Sequence, residues 1–214
     1  MMQLESDSAW ISRGRQRSAV ARGLRRPMTP SEIWRAAQAF NTRIQLRDVW
    51  LILRQCERRG LIRCFSRREI NGKVYYWTDA GRAVAEATFG IANPPAPQGI
   101  SWSKYSHVAR SKLRRMVLLE LAQARHPGDS VKTASRVRQG LRETHPVSLN
   151  CVIRALKELR SLKLTEIHGE VKKRGQKLHR LTRAGRRIAG ELSPIASRIK
   201  RAQTLLNSAF SESV

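Results

Sequence analysis

Two groups of long cations bracket short turns that contain glycine. Arg67, Arg68 and Lys73 flank Asn71-Gly72, and Lys172, Lys173, Arg174 and Lys177 surround the turn at Arg174-Gly175. Cations at a hairpin tip have no core role open to them, and the chemistry they suit is contact with phosphate oxygens. A second kind of residue sits one element earlier. Gln45, Arg47 and Asp48 open one amphipathic run, and Asn150, Cys151 and Arg154 occupy the matching stretch of another. Arg suits the paired acceptors of guanine and Asn suits adenine, so these six are candidates for base contact. Arg43, Arg54 and Lys157 extend the phosphate-contact set. A third patch, Arg13, Arg15, Arg17, Arg22, Arg25 and Arg26, has no acid within it. It reads as the outer face of a first helix in preference to a flexible minor-groove arm.

Other chemistry finds little support. The four Asp are Asp7, Asp48, Asp79 and Asp129, and none pairs with a second carboxylate at a spacing that suits acid/base or metal work. No glycine-rich phosphate loop is present. His168 and His179 fall on facing strands. Counted outward from Arg174-Gly175, His168 opposes Leu181 and His179 opposes Glu170, so both are expected as surface histidines that share no metal. Cys56, Cys64 and Cys151 are an odd number and scattered, which suits free thiols. The expectation is a protein that is not an enzyme and carries no metal or cofactor.

The charge balance sharpens this. Lys and Arg number 42 against 16 Asp and Glu, a formal net charge of +26. A compact chain with that charge repels itself, and a polyanionic partner is its usual explanation. The longest apolar run, Val49-Trp50-Leu51-Ile52-Leu53, is far short of the roughly 18 residues of a membrane span. Residues 1–7 include Glu5 and Asp7 and no apolar stretch, unlike a signal peptide. No membrane association is expected, and a cytoplasmic, nucleoid-associated location is.

The elements that must position these side chains are written twice, at a spacing of 103 to 104 residues. Thr29-Pro30-Ser31-Glu32-Ile33 recurs as Thr133-Ala134-Ser135-Arg136-Val137. Leu53 and Cys56 recur as Leu156 and Leu159, and Trp77-Thr78-Asp79-Ala80-Gly81-Arg82 as Leu181-Thr182-Arg183-Ala184-Gly185-Arg186. In the first copy, a Thr cap, Pro at the first position and an early acid start a short helix to about Phe40. A longer helix runs from about Gln45 to Arg59, with Leu46, Val49, Trp50, Leu53 and Cys56 on one face. Gly60 stands where a helix end wants a left-handed residue. Strands follow at about Leu61 to Ser66 and Val74 to Thr78, then a helix from Asp79 to Thr88. The second copy has helices at Thr133 to Glu143, Ser148 to Ser161 and Arg183 to Leu192, with strands at Leu164 to Glu170 and Lys177 to Thr182. Its opening helix spans Val108 to Ala124, and that of the first copy lies within Ala9 to Leu24. Leu162-Lys163 stands where the first copy has Arg59-Gly60.

This order, together with the helix ending into Gly60-Leu61-Ile62 and the repeated Thr-x-Ala-Gly-Arg block, resembles the winged helix-turn-helix proteins, in particular MarR- and PadR-type regulators. The resemblance covers most of both halves. It implies a mainly α, α+β fold of two tandem winged-helix domains, each a three-helix core with a β-hairpin wing. In such a fold the third helix enters the major groove and the wing lies on the backbone. The expected boundaries are 1–89, a Pro-rich linker at 90–103, 104–192, and a C-terminal helix and tail at 193–214. In the tail, Ile195, Ile199, Ala202, Leu206 and Ala209 have coiled-coil spacing and offer a surface for its own second domain, a homodimer or a protein partner. The expected partner is double-stranded DNA and the expected role sequence-preferring regulation of transcription. The competing expectations are a plasmid or viral replication initiator, a winged-helix protein-interaction scaffold that would not need +26, and an RNA binder. The last would want exposed stacking aromatics, and aromatic content is only 6%.

Overall fold

The structure, a computed structural model, describes residues 2–65, 73–93, 95–123, 131–142, 145–171 and 175–193. The described residues are mostly helical, with two small antiparallel sheets. No helix among them is long and apolar enough to cross a membrane. The chain divides into two compact units, Met1–Arg110 and Ser111–Val214.

The first unit begins with α1 (Met2–Arg13) and α2 (Arg15–Gly23), so the opening helix is broken at Gly14. The short helix α3 (Pro30–Ala37) starts on the expected cap. Both the amide and the hydroxyl of Thr29 donate to Glu32 Oε2, each at 3.0 Å. The long helix α4 (Leu46–Arg58) buries Val49, Ile52, Leu53 and Cys56. It ends through Gly60 at φ +71°, with Leu61 N–H donating to the Cys56 carbonyl at 2.9 Å. Strands β1 (Ile62–Cys64) and β2 (Tyr75–Trp77) pair in the register Ile62 with Trp77 and Cys64 with Tyr75. Met28 adds an isolated bridge to Tyr75. The helices α5 (Asp79–Phe89) and α6 (Trp102–Ala109) complete the unit.

Helix α6 shifts the division of the chain away from the expected linker. Tyr105 is fully buried, its hydroxyl donates to the Pro27 carbonyl at 2.9 Å, and Arg26 donates to that hydroxyl. Trp102 packs between Phe65 and Tyr105, with ring centroids 4.9 and 5.5 Å apart. Ile91 is buried and Ala96 packs on the same core. Ile91, Ala96 and Trp102, all within the expected linker, therefore pack with the first unit, and the helix expected from Val108 to Ala124 stops at Ala109 and restarts after Ser111.

The second unit runs α7 (Lys112–Ala122), β3 (Val131–Thr133), α8 (Ala134–Arg142), α9 (Leu149–Ser161), β4 (Thr165–Val171), β5 (Gln176–Leu181) and α10 (Arg183–Leu192). Its sheet order is β3-β5-β4. The strand β3 was not expected from the sequence. Its central pair, Lys132 with His179, falls at the repeat positions of the Met28–Tyr75 bridge. The core takes Val117, Leu118, Leu121, Val152, Leu156, Leu159 and Ile188. The proposed tail helix lies outside the described residues.

Both units lock the helix that follows the β-pair onto the end of the long one with the same atoms. Thr78 Oγ1 accepts from Gly81 N–H at 3.1 Å and donates to the Gly60 carbonyl at 2.7 Å. Thr182 Oγ1 accepts from Gly185 N–H at 3.1 Å and donates to the Lys163 carbonyl at 2.9 Å. Thr78 N–H and Thr182 N–H donate to the carbonyls of Leu61 and Leu164, each at 3.0 Å. The copies differ at the turn itself, where Lys163 holds φ +56° in place of glycine. An L-residue there costs about 1–2 kcal/mol. Lys163→Gly should therefore stabilise the second unit by about 0.5–1 kcal/mol, after the extra freedom gained by the unfolded chain. Urea unfolding would read this as a higher midpoint at unchanged slope. A lower midpoint would mean that the lysine contributes contacts worth more than its strain.

Candidate nucleic-acid interface

Helix α4 sets out its exposed side chains by periodicity. With Val49, Ile52, Leu53 and Cys56 turned inward, Arg47, Leu51, Arg54 and Arg58 are left on the outer face, and Gln45 and Arg43 lie exposed just before it. Arg47 is 80% exposed. Asp48, expected as a base-contact candidate, is occupied locally. Its Oδ2 accepts from Gln45 N–H at 2.9 Å and from Gln16 Nε2 at 3.2 Å. That carboxylate caps the helix and ties α2 to it, a use that reads from the Gln-x-x-Asp spacing at a helix start. Lys73 is half-buried, and Arg67 and Arg68 lie outside the described residues.

Helix α9 repeats the pattern. Ser148 Oγ caps it by accepting from Cys151 N–H at 3.3 Å. Asn150, Cys151, Arg154 and Lys157 are exposed, and Val152, Ala155, Leu156 and Leu159 are buried. Glu158, beside them, pairs with Arg114 of α7 at 2.8 Å, which takes an acid out of the exposed face. Lys177 is exposed on β5, while Lys172, Lys173 and Arg174 lie outside the described residues. Lys157 and Lys177 come together with Arg160 and His179 around one cleft between α9 and β5. Arg160 stands three residues after Lys157 on the helix and is exposed, as the apolar spacing of that helix leads one to expect.

His179 departs from the expected surface position. It is buried at 8% exposure, and it opposes Ile167, not Glu170. Strand β4 shifts register between Ile167 and Gly169, which makes exposed His168 the extra residue of a bulge. Counting from a two-residue turn missed both the longer connection and the bulge. Burial first, then the nearby charges of Arg160 and Lys177, push the His179 imidazole below its ordinary pKa. Among the described residues, no group of three or more His, Cys, Asp or Glu is arranged to hold a metal ion.

Of the N-terminal arginines, Arg13 ends α1, Arg15, Arg17 and Arg22 lie on α2, and Arg25 and Arg26 follow it outside any helix. Several serve the fold. Arg17 and Arg59 both lie over the Trp10 ring, 4.6 and 4.3 Å from its centroid, and Arg22 lies 4.5 Å from that of Phe40. Arg26 pairs with buried Glu32 at 2.9 Å. Arg13 and Arg15 remain exposed. Beneath this layer, burial pushes the Cys56 thiol up to about 12 against the pull of Arg17 and Arg59, so it stays protonated and inert. The electrostatic outcome is two long helices with cationic outer faces whose few neighbouring acids are already paired. The chain matches no protein-family model, no curated protein and no solved structure.

Proposed function

We propose that the protein binds double-stranded DNA through two winged-helix units, and that it reads sequence as a regulator of transcription, without catalysis. In this reading α4 and α9 are the helices that enter major grooves, and the basic hairpins lie on the phosphate backbone. One observation carries it. The same unit occurs twice, closed by the same Thr–Gly lock, and each time the long helix turns a cationic face outward. The net charge of +26 supports a polyanionic partner.

The two readers differ. Arg47 and Asn150 hold equivalent places in the first turns of α4 and α9, and Leu51 is matched by Arg154. Unlike readers imply unlike target elements, so the site need not be palindromic. Arg47→Ala should cost about 1–3 kcal/mol and relax preference in one element only, while Asn150→Ala should do the same in the other. Footprinting on sites selected from random duplexes tests this. A single protected element that Asn150→Ala leaves untouched would remove the second unit from the reading role.

A further inference from the structure

Helices α4 and α9 are one element written in different letters, so each serves as a control for the other. At about 100° per residue, Arg47, Leu51, Arg54 and Arg58 fall within about 60° of arc on the outer face of α4. The matching row of α9 is Asn150, Arg154, Lys157 and Ser161, all exposed. Arg54 and Lys157 keep a cation at one place, as phosphate contact requires whatever sequence is read. Arg47 against Asn150 and Leu51 against Arg154 change type. The second exchange puts an apolar side chain where the other copy has a cation.

Leu51 is 58% exposed, the highest value for a large apolar side chain among the described residues. One exposed leucine is ordinary on a protein surface, and its place is what singles it out. The core does not call for it, since Val49, Ile52, Leu53 and Cys56 already make the inward stripe. Helix formation does not call for it either, because Arg is about as good a helix former and α9 carries one there. The two acids of α4 stand off this row, Asp48 at the cap and Glu57 half-buried. What remains is an apolar end set among Arg47, Arg54 and Arg58, a surface that fits an apolar group held within a polyanion.

The major groove of DNA presents one such group, the C5-methyl of a pyrimidine. Arg47 and Leu51 are one turn apart, about 6 Å along the axis, and stacked base pairs are about 3.4 Å apart. The two side chains therefore address different base pairs. We propose that Leu51 reads a pyrimidine C5-methyl, carried by thymine or by 5-methylcytosine, within two base-pair steps of the base read by Arg47. This assignment rests on the proposed function. In α9 the same place belongs to Arg154, which suits guanine and has no use for a methyl, so the preference is confined to the element read by the first unit.

Fluorescence anisotropy of the full chain on a duplex selected from a random pool tests it. In the element whose preference Arg47→Ala relaxes, each thymine is replaced in turn by deoxyuridine, which removes the methyl alone. One replacement should weaken binding about three- to tenfold, the worth of one methyl buried against leucine. Leu51→Ala should bind the thymine and uracil duplexes alike. Leu51 lies outside the core and Ala is a better helix former, so the variant should fold. Cytosine and 5-methylcytosine at the same position separate the two carriers. A gain of the same size on methylating cytosine makes 5-methylcytosine a ligand as well, and no gain confines the reading to thymine. An element without thymine, indifference to uracil at every position, or a uracil penalty that survives Leu51→Ala would each overturn the assignment while duplex binding stands. Failure to bind any duplex would overturn the proposed function, and the assignment with it.

Discussion

Between 50 and 200 mM monovalent salt, affinity for duplex DNA should fall by about 10³- to 10⁵-fold. Each phosphate neutralised by Lys or Arg releases condensed counterions, and raising the salt makes that release less favourable. The exposed cations on the two long helices and their flanks include Arg43, Arg47, Arg54, Arg58, Arg154, Lys157, Arg160 and Lys177. With the hairpin cations of the sequence, roughly 7 to 10 phosphates are within their number, and the log–log slope should be about −6 to −9. The total of 42 Lys and Arg overstates the supply. Arg26, Arg59, Arg114 and Lys132 are held in ion pairs at 2.8 to 2.9 Å, and Arg17 and Arg22 are stacked on rings. Fluorescence anisotropy on one labelled duplex across the salt range measures the slope. A value shallower than about −2 would favour a protein-interaction scaffold over a polyanion binder.

The second large effect concerns the fold that carries those charges. Gly81→Ala and Gly185→Ala should each destabilise their own unit by about 3 kcal/mol. A Cβ at Gly81 would stand 1.8 Å from the Leu61 carbonyl oxygen, and one at Gly185 would stand 2.1 Å from that of Leu164. These neighbours are backbone atoms, so no side chain can swing aside to make room. The same two carbonyls accept the Thr78 and Thr182 amides, and moving them breaks the lock between α5 and the end of α4, or between α10 and the end of α9. Against a typical stability of about 5–15 kcal/mol, the loss is large. Urea unfolding of each variant reads it directly. Thr78→Ala and Thr182→Ala are milder controls, at about 1 kcal/mol for a lost cap. If the glycine variants cost no more than the threonine ones, the helices can withdraw from the carbonyls and the close approach is not what holds them.

Much of this molecule is legible along the chain because the interactions concerned are local. The inward faces of α4 and α9 follow from apolar spacing of three and four residues. The caps at Thr29, Ser148, Thr78 and Thr182 follow from a hydroxyl placed three residues before its donor or acid. The left-handed turn at Gly60 follows from the residue type. Exposure of Arg47, Asn150 and Arg154 is the remainder once the buried stripe is taken away.

What the sequence by itself determined, then, is two copies of a short helix, a long basic helix and a β-pair, because each rests on neighbours within a turn or on a duplication visible in the letters. Only the tertiary structure decided which distant groups meet. Gln16 reaches Asp48 across two elements, so a candidate reader serves as a cap. Tyr105 finds Pro27 and Arg26, so α6 belongs to the first unit although it follows a proline-rich stretch. A bulge at His168 resets the register of β4, and β3 covers the other side of β5, so His179 is buried beside Arg160 and Lys177. Register, edge pairing and burial of a polar group depend on contacts far apart in the chain, and no periodicity within one element encodes them.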